Sequence, residues 1–182
     1  VLMAETETSQ RIIERLRQLG VGISIDDFGT GYSSLAYLKR LRPNQLKIDQ
    51  TFVRDMLDDP DDLTILEGII SLAEAFRKQV IAEGVETVAH GRMLLQLGCE
   101  RAQGFGIAHP MSPEDIPAWI AGWRPDAAWK DVHPLPREDL PLLFALVEHR
   151  AWVSALVAYL DGQGEVPVHE LERCDFGHWL RD

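Results

Sequence analysis

The chain has 182 residues, 46% of them hydrophobic, enough to bury the core of one ordinary domain and a little more. Its formal charge of −11 excludes binding of a nucleic-acid polymer through bulk charge, so phosphate chemistry here needs metal ions or a local basic group. Two distant cysteines, Cys99 and Cys174, exclude a disulfide scaffold and suit a reducing cytoplasm, the expected location. No apolar run reaches the roughly 18 residues of a membrane span, and the opening VLMAETETSQRII lacks a basic-then-apolar signal pattern. The start at Val1 rather than Met leads to the expectation of a piece of a longer protein.

From residue 6, TETSQRIIERLRQLGV places Ile12, Ile13, Leu16 and Leu19 at helical spacing, with Gly20 as the stop. GVGISIDDF then predicts a short buried strand. The alternation continues with SSLAYLKRL as helix, QLKIDQTFV as strand, DDLTILEGIISLAEAFRK as helix, QVIAEGVET as strand, VAHGRMLLQLG as helix, RAQGFGIAHP as strand and SPEDIPAWIAGW as helix. Hydrophobic strands each followed by a helix predict an α/β fold with a parallel sheet and helices packed outside it. The acidic run DDPDD, residues 58–62, reads as a solvated loop that caps the helix after it. Met3, Met56, Met93 and Met111 are scattered core candidates, and His90, His109 and His133 have no spacing that suggests a metal.

The predicted strands end on polar residues that a packed core would reject: Asp26 and Asp27, Lys47 and Asp49, Glu83 and Glu86, and Gln103. Parallel α/β folds gather reacting groups at the carboxyl ends of their strands. Any one such residue is as readily a helix cap or a surface ion pair, but repetition over four strands favours a site. Adjacent strand residues point to opposite faces, so Asp26 and Asp27 converge only where the strand breaks into a loop, and Gly29 and Gly31 permit the break. Crowded carboxylates repel unless a cation sits between them, and a hard divalent metal is the usual solution. Two such metals would clamp the attacking and leaving oxygens of a phosphodiester, with Lys47 adding positive charge near the attacking water. A plainer reading of DDFGTG is an Asp-capped turn into the SSLAYL helix. GTGYSS lacks the glycine spacing of a dinucleotide fingerprint, and no Walker lysine follows it.

DDFGTGYSSL, KIDQTFV, AEGVET and AQGFGIAHP, in that order and spacing, resemble the second half of an EAL domain, the phosphodiesterase that hydrolyses cyclic di-GMP to the linear dinucleotide. The resemblance covers residues 1–124 and implies a (β/α)8 TIM-like barrel, present here as about four β/α units. It implies hydrolysis with two Mg or Mn ions. It also implies a role for each matching position: Asp26 bridges the metals, Asp27 binds the second, and Glu83 serves the metal site. Lys47 orients or activates the water, Gln103 lies near metal-bound water or substrate, and Glu86 anchors the loop after Asp27. The family's first half carries the EAL glutamate, an asparagine and a further glutamate, none of which is in this sequence. A (β/α)8 barrel takes about 250 residues, so residues 1–124 cannot close one alone. We therefore expect little turnover from this chain by itself, and association or domain exchange between chains through open sheet edges. A non-catalytic EAL-like receptor or interaction module is the competing class.

The rest of the chain is different in kind. Residues 125–138 are proline-containing and aperiodic, and read as a linker. Residues 139–182 form an all-α segment, with DLPLLFALVEHRAWVSALVAYLDG in helical period. His149, three residues before Trp152, and the later CDFGHWL resemble the opening of a chemoreceptor zinc-binding domain. That resemblance implies His149 and Cys174 as zinc ligands, two of the four that a structural site needs. The plainer alternative makes Cys174 a small buried hydrophobe and His149 a surface histidine.

Overall fold

The computed structural model describes residues 6–30 and 35–167. Helix α1 (Thr6–Gln18) leads into strand β1 (Ser24–Phe28), α2 (Leu35–Leu41), β2 (Gln45–Ile48), α3 (Gln50–Asp55), α4 (Pro60–Ala75), β3 (Gln79–Ala82), α5 (Val88–Gln96), α6 (Ile116–Gly122) and α7 (Leu140–Leu160). The three strands lie parallel in the order β1-β2-β3. The predicted fold class is therefore observed as an arc of a parallel α/β barrel, its helices on the outer face.

The arc gets its two faces from the period of two within each strand. On β2, Leu46 and Ile48 are fully buried while Lys47 between them points the other way. Leu46 pairs in register with Val80 and Ile48 with Ala82, so the apolar layer continues across β3. Val53, Leu63, Leu66 and Leu94 from α3, α4 and α5 close over this layer and are almost wholly buried. Each such side chain contributes at most about 1.5–3 kcal/mol. The concave face keeps the polar residues.

All four predicted strands are corrected: GVGISIDDF is a strand only from Ser24 and within it only Phe28 is buried, and QVIAEGVET is a strand only to Ala82. QLKIDQTFV is a strand only to Ile48; Asp49 accepts the Thr51 N–H at 2.8 Å and caps α3, so QTFV is helical. RAQGFGIAHP keeps one parallel bridge, Ala102 to Ala82, and then turns, with the Ile107 and Ala108 amides donating to the Gly104 carbonyl at 3.0 Å. A strand cannot continue there because Gly104 and Gly106 bring this backbone against Val85 and Glu86. The acidic run behaves as a cap: the Asp59 carboxylate accepts the amides of Asp61 and Asp62, and Pro60 opens α4 where its missing N–H costs nothing.

Residues 125–138 include a 3-10 turn at Ala127–Trp129, and they lie along the barrel. The Trp129 indole N–H donates to the Val88 carbonyl at 2.8 Å, and the Leu135 amide donates to the Gln96 carbonyl, also at 2.8 Å. The expectation that no apolar stretch reaches membrane-span length is corrected at helix α7, which has that length and apolarity, with a mean hydropathy of 1.4. Its two charged residues in mid-helix, Glu148 and Arg150, interrupt the run without outweighing the apolar ones. Its N-terminal half is nonetheless a core element, because Leu143 and Val147 are buried in the same cluster as Leu46 and Ile48. Cys174 lies outside the described residues, as do Gly31, Ser33 and Ser34 of the DDFGTGYSSL stretch.

Candidate metal centre

The polar strand ends meet. Asp26 and Asp27 come from β1, Lys47 from β2, Glu83 from the residue after β3, and Gln103 from the residue after the Ala102 bridge. The Lys47 ammonium donates to Asp26 Oδ1 at 2.6 Å and also contacts Glu83 Oε1. Gln103 Nε2 donates to that same Glu83 oxygen at 2.7 Å. The side chains grade from open to covered: Asp26 is 65% exposed, Lys47 25% and Glu83 15%. Glu83 is therefore the floor of the site and Asp26 its rim.

The two aspartates share the site through a backbone irregularity at Asp27 itself. Its φ is 51°, in the left-handed region, and the β1–β2 register slips between Ile25 and Phe28. Asp is among the few residues that tolerate this conformation, because its short side chain can bond locally. The expectation that glycine would permit the break holds for Gly29, with φ 108°, but the break begins two residues earlier. Thr30 fixes the turn by donating its amide at 3.3 Å and its hydroxyl at 2.9 Å to the Asp27 carbonyl.

Oxygen atoms of Asp26, Asp27 and Glu83 all lie within 4.8 Å of one another. Partial loss of water, then the negative charges of Asp26 and Asp49, hold the Asp27 carboxyl above its ordinary value. Asp49 is held below it by the Thr51 hydroxyl, with the Thr51 amide adding to the effect. Lys47 is raised, first by its hydrogen bond to Asp26 and next by that to Glu83. Three carboxylates around a single ammonium leave a surplus of negative charge and a set of hard oxygen donors. This donor set fits Mg, Mn or Ca and has no soft ligand that would select another metal.

Glu86, expected to anchor the loop after Asp27, gives its backbone N–H to His90 Nδ1 at 3.4 Å. The loop it would anchor runs through residues 31–34, outside the described residues. The sequence pattern placed Asp49 among the polar strand ends without a particular role and gave His90 none. The D-x-T spacing at residues 49–51, an acceptor two residues before a helix amide, was the available signal for Asp49. His149 stands exposed on α7, its ring stacked on Trp152 with centroids 6.3 Å apart.

A parallel α/β arc thus gathers carboxylates, a lysine and a glutamine at the carboxyl ends of its strands, the face on which α/β barrels carry their sites. The EAL domain model matches residues 1–110, and the chain belongs to that family. It is 47% identical over 119 residues to the bifunctional diguanylate cyclase/cyclic di-GMP phosphodiesterase MucR of Pseudomonas aeruginosa, covering 65% of this chain and 17% of MucR. The solved MucR phosphodiesterase in complex with c-di-GMP superposes with a TM-score of 0.59, covering 63% of this chain and 47% of that one. The EAL domain of DcpA from Mycobacterium smegmatis, 43% identical, gives a TM-score of 0.63 over 68% of this chain and 56% of its own. The manganese and cyclic di-GMP complex of BlrP1 from Klebsiella pneumoniae, 32% identical, gives 0.57 over 60% of this chain and 28% of its own. The chain thus spans about half of the solved MucR and DcpA domains and a smaller part of BlrP1 and of the curated MucR protein.

Proposed function

We propose that this chain is the metal-binding half of a cyclic di-GMP phosphodiesterase, which opens the cyclic dinucleotide to its linear form in bacterial second-messenger signalling. The observation that carries this reading is the convergence of Asp26, Asp27 and Glu83 within 4.8 Å beside Lys47, in a chain of the EAL family. The substrate is a dianion approaching a strongly acidic protein, so local positive charge has to be supplied at the site itself.

Asp26, Asp27 and Glu83 would hold two divalent ions, Mg or Mn. When bound, these supply Lewis-acid stabilisation of the phosphodiester oxygens. Lys47 reaches between Asp26 and Glu83, where its ammonium orients the attacking water and balances charge developing on the phosphate. Gln103 holds the shared Glu83 oxygen, fixing the rotamer of the deepest carboxylate. Glu86 anchors the loop that follows Asp27.

The remaining ligands come from the first half of the family's barrel, so the chain alone binds weakly and turns over little. The free sheet edges would pair with that half, or with another chain by domain exchange. The tail, with His149 and Cys174, would contribute to a zinc site, and the protein would act in the cytoplasm. The test is release of linear dinucleotide from cyclic di-GMP in the presence of Mn by the full-length protein, compared with Asp27→Asn. Turnover lost in the variant supports the reading. Tight nucleotide binding without turnover in the unsubstituted protein would replace it with a receptor role.

A further inference from the structure

A cleft of about 1020 Å3 opens between α1 and α2, lined by Arg11 and Arg17 of the first helix and by Lys39, Arg40 and Arg42 at the end of the second. Glu14 is the one acidic group in that lining, so it carries four more positive charges than negative ones, on a chain whose formal charge is −11. The cleft is set apart from the metal centre by the topology. Arg17 and residues 39–42 come shortly before Ser24 and Gln45, the first residues of β1 and β2, so they lie towards the amino ends of strands whose other ends carry the carboxylates and Lys47.

Basic residues in the last turn of a helix ordinarily answer its exposed carbonyls, and part of the cluster does this. The Arg17 guanidinium reaches from α1 to donate to the Leu41 carbonyl and, at 2.7 Å, to the Arg42 carbonyl. That side chain closes the end of α2 and ties the two helices together. The carboxyl ends of two helices together amount to about one negative charge, so the cleft keeps a net charge of about +3. Arg11 stands in the first half of α1, outside the last turn where the dipole acts. Arg42, with φ 42°, takes the left-handed position after a helix where glycine is the usual residue. Like charges crowded into a concavity repel one another until an anion joins them. Guanidinium groups present paired N–H donors that match phosphate oxygens, and no lining residue is an aromatic on which a nucleobase could stack. Such a lining reads phosphate groups and is indifferent to what carries them, and its charge and width call for more than one. We propose that the α1–α2 cleft is a second anion site, taking a compact ligand that bears two or more phosphate groups.

The test is isothermal titration calorimetry of the full-length, metal-stripped protein with tripolyphosphate, beside flotation with vesicles of equal parts phosphatidylcholine and cardiolipin, a lipid with two phosphates. Wild type is compared with Arg42→Gln, Lys39→Gln and Arg15→Gln. Arg15 lies on α1 outside the cleft lining, bonded to Gln18 at 3.0 Å, and its loss changes the net charge equally. Arg17 stays in place, which preserves the tie between the helices. We expect tripolyphosphate affinity at least about 10-fold weaker in Arg42→Gln and in Lys39→Gln, and within about twofold of wild type in Arg15→Gln. Binding to cardiolipin vesicles alone, with the same order of variants, keeps the site and assigns its phosphates to a lipid headgroup. Wild-type protein that binds neither probe would overturn the proposal. So would equal affinities in wild type and both cleft variants, or an equal loss in Arg15→Gln, which would mark bulk charge. No outcome depends on the metal reading, because metal is absent and Asp26, Asp27 and Glu83 are unaltered.

Discussion

Gly104→Ala is the substitution whose outcome follows most directly from the geometry of the site's floor. A Cβ built on Gly104 would stand 2.2 Å from the Val85 carbonyl oxygen and 2.3 Å from the Val85 nitrogen, both backbone atoms. The φ of 157° adds a conformation that alanine rarely adopts. Val85 cannot retreat cheaply: its side chain is fully buried, its amide donates to Gln103 and its carbonyl accepts from Gly106. Overpacking costs about 1–3 kcal/mol, and weakening those two hydrogen bonds costs about 1 kcal/mol each. The expected loss is about 3 kcal/mol, a fall in melting midpoint of roughly 6–12 °C for a chain of this size. Because Gln103 precedes Gly104 directly and holds Glu83, manganese affinity should fall with it. Urea denaturation and manganese titration measure the two effects. Gly68→Ala is the internal control: no atom lies within 4 Å of its Cβ on α4, and it should gain about 0.5–1 kcal/mol. A loss below about 0.5 kcal/mol for Gly104→Ala would refute the claim that this turn is jammed against Val85.

Lys47→Met removes the ammonium between Asp26 and Glu83 while preserving the stem; turnover by the full-length protein should drop at least about 100-fold with manganese still bound, as steady-state kinetics beside metal titration would show. Asp49→Ala deletes the cap of α3 and the carboxylate beside Asp27; we expect about 1 kcal/mol of stability lost, measured by denaturation, and a loss confined to manganese affinity would contradict the capping role. Burial holds the His90 imidazole below its ordinary value of 6.5, against the opposing pull of Glu86, of the Arg54 carbonyl, and of Asp55 and Asp58. The unfolded chain therefore takes up a proton first as the pH falls. This contribution to stability is complete above the ordinary value and is lost as the pH drops through the lower folded value. Denaturation between about pH 7 and 5 should show a shallower acid slope in His90→Gln, and an unchanged slope would refute the assignment.

The alternation of helix and strand was legible because apolar spacing records which face each element buries: Leu46 and Ile48 against Lys47 is a period of two, and Leu63, Leu66, Ile69 and Ala73 trace one side of α4. Boundaries set by single side chains were less legible. QTFV has strand-like residues, and its helix depends on one cap, Asp49. RAQGFG is apolar enough for a strand, but its glycines serve close approach to Val85 and Glu86, a tertiary constraint that no local pattern encodes. His90 gave no signal because the partner of its ring, the Glu86 amide, is a backbone group that any residue supplies.

The same reasoning explains why the two adjacent aspartates were the most informative stretch and why their geometry was only half foreseen. A regular strand would send Asp26 and Asp27 to opposite faces, placing one carboxylate under the helices where its desolvation has no compensation. The left-handed turn at Asp27 and the register slip after Ile25 remove that conflict and return both side chains to the concave side. Such a conformation is locally costly, by about 1–3 kcal/mol where the residue is ill suited. Here it is offset by Thr30 on the Asp27 carbonyl and by Phe28, 3% exposed in the core immediately after it. Strain held in place by packing on one side, with ionisable oxygens released on the other, is the arrangement that a cation-dependent site requires. It places the metal reading on the backbone of β1 as well as on the identity of its side chains.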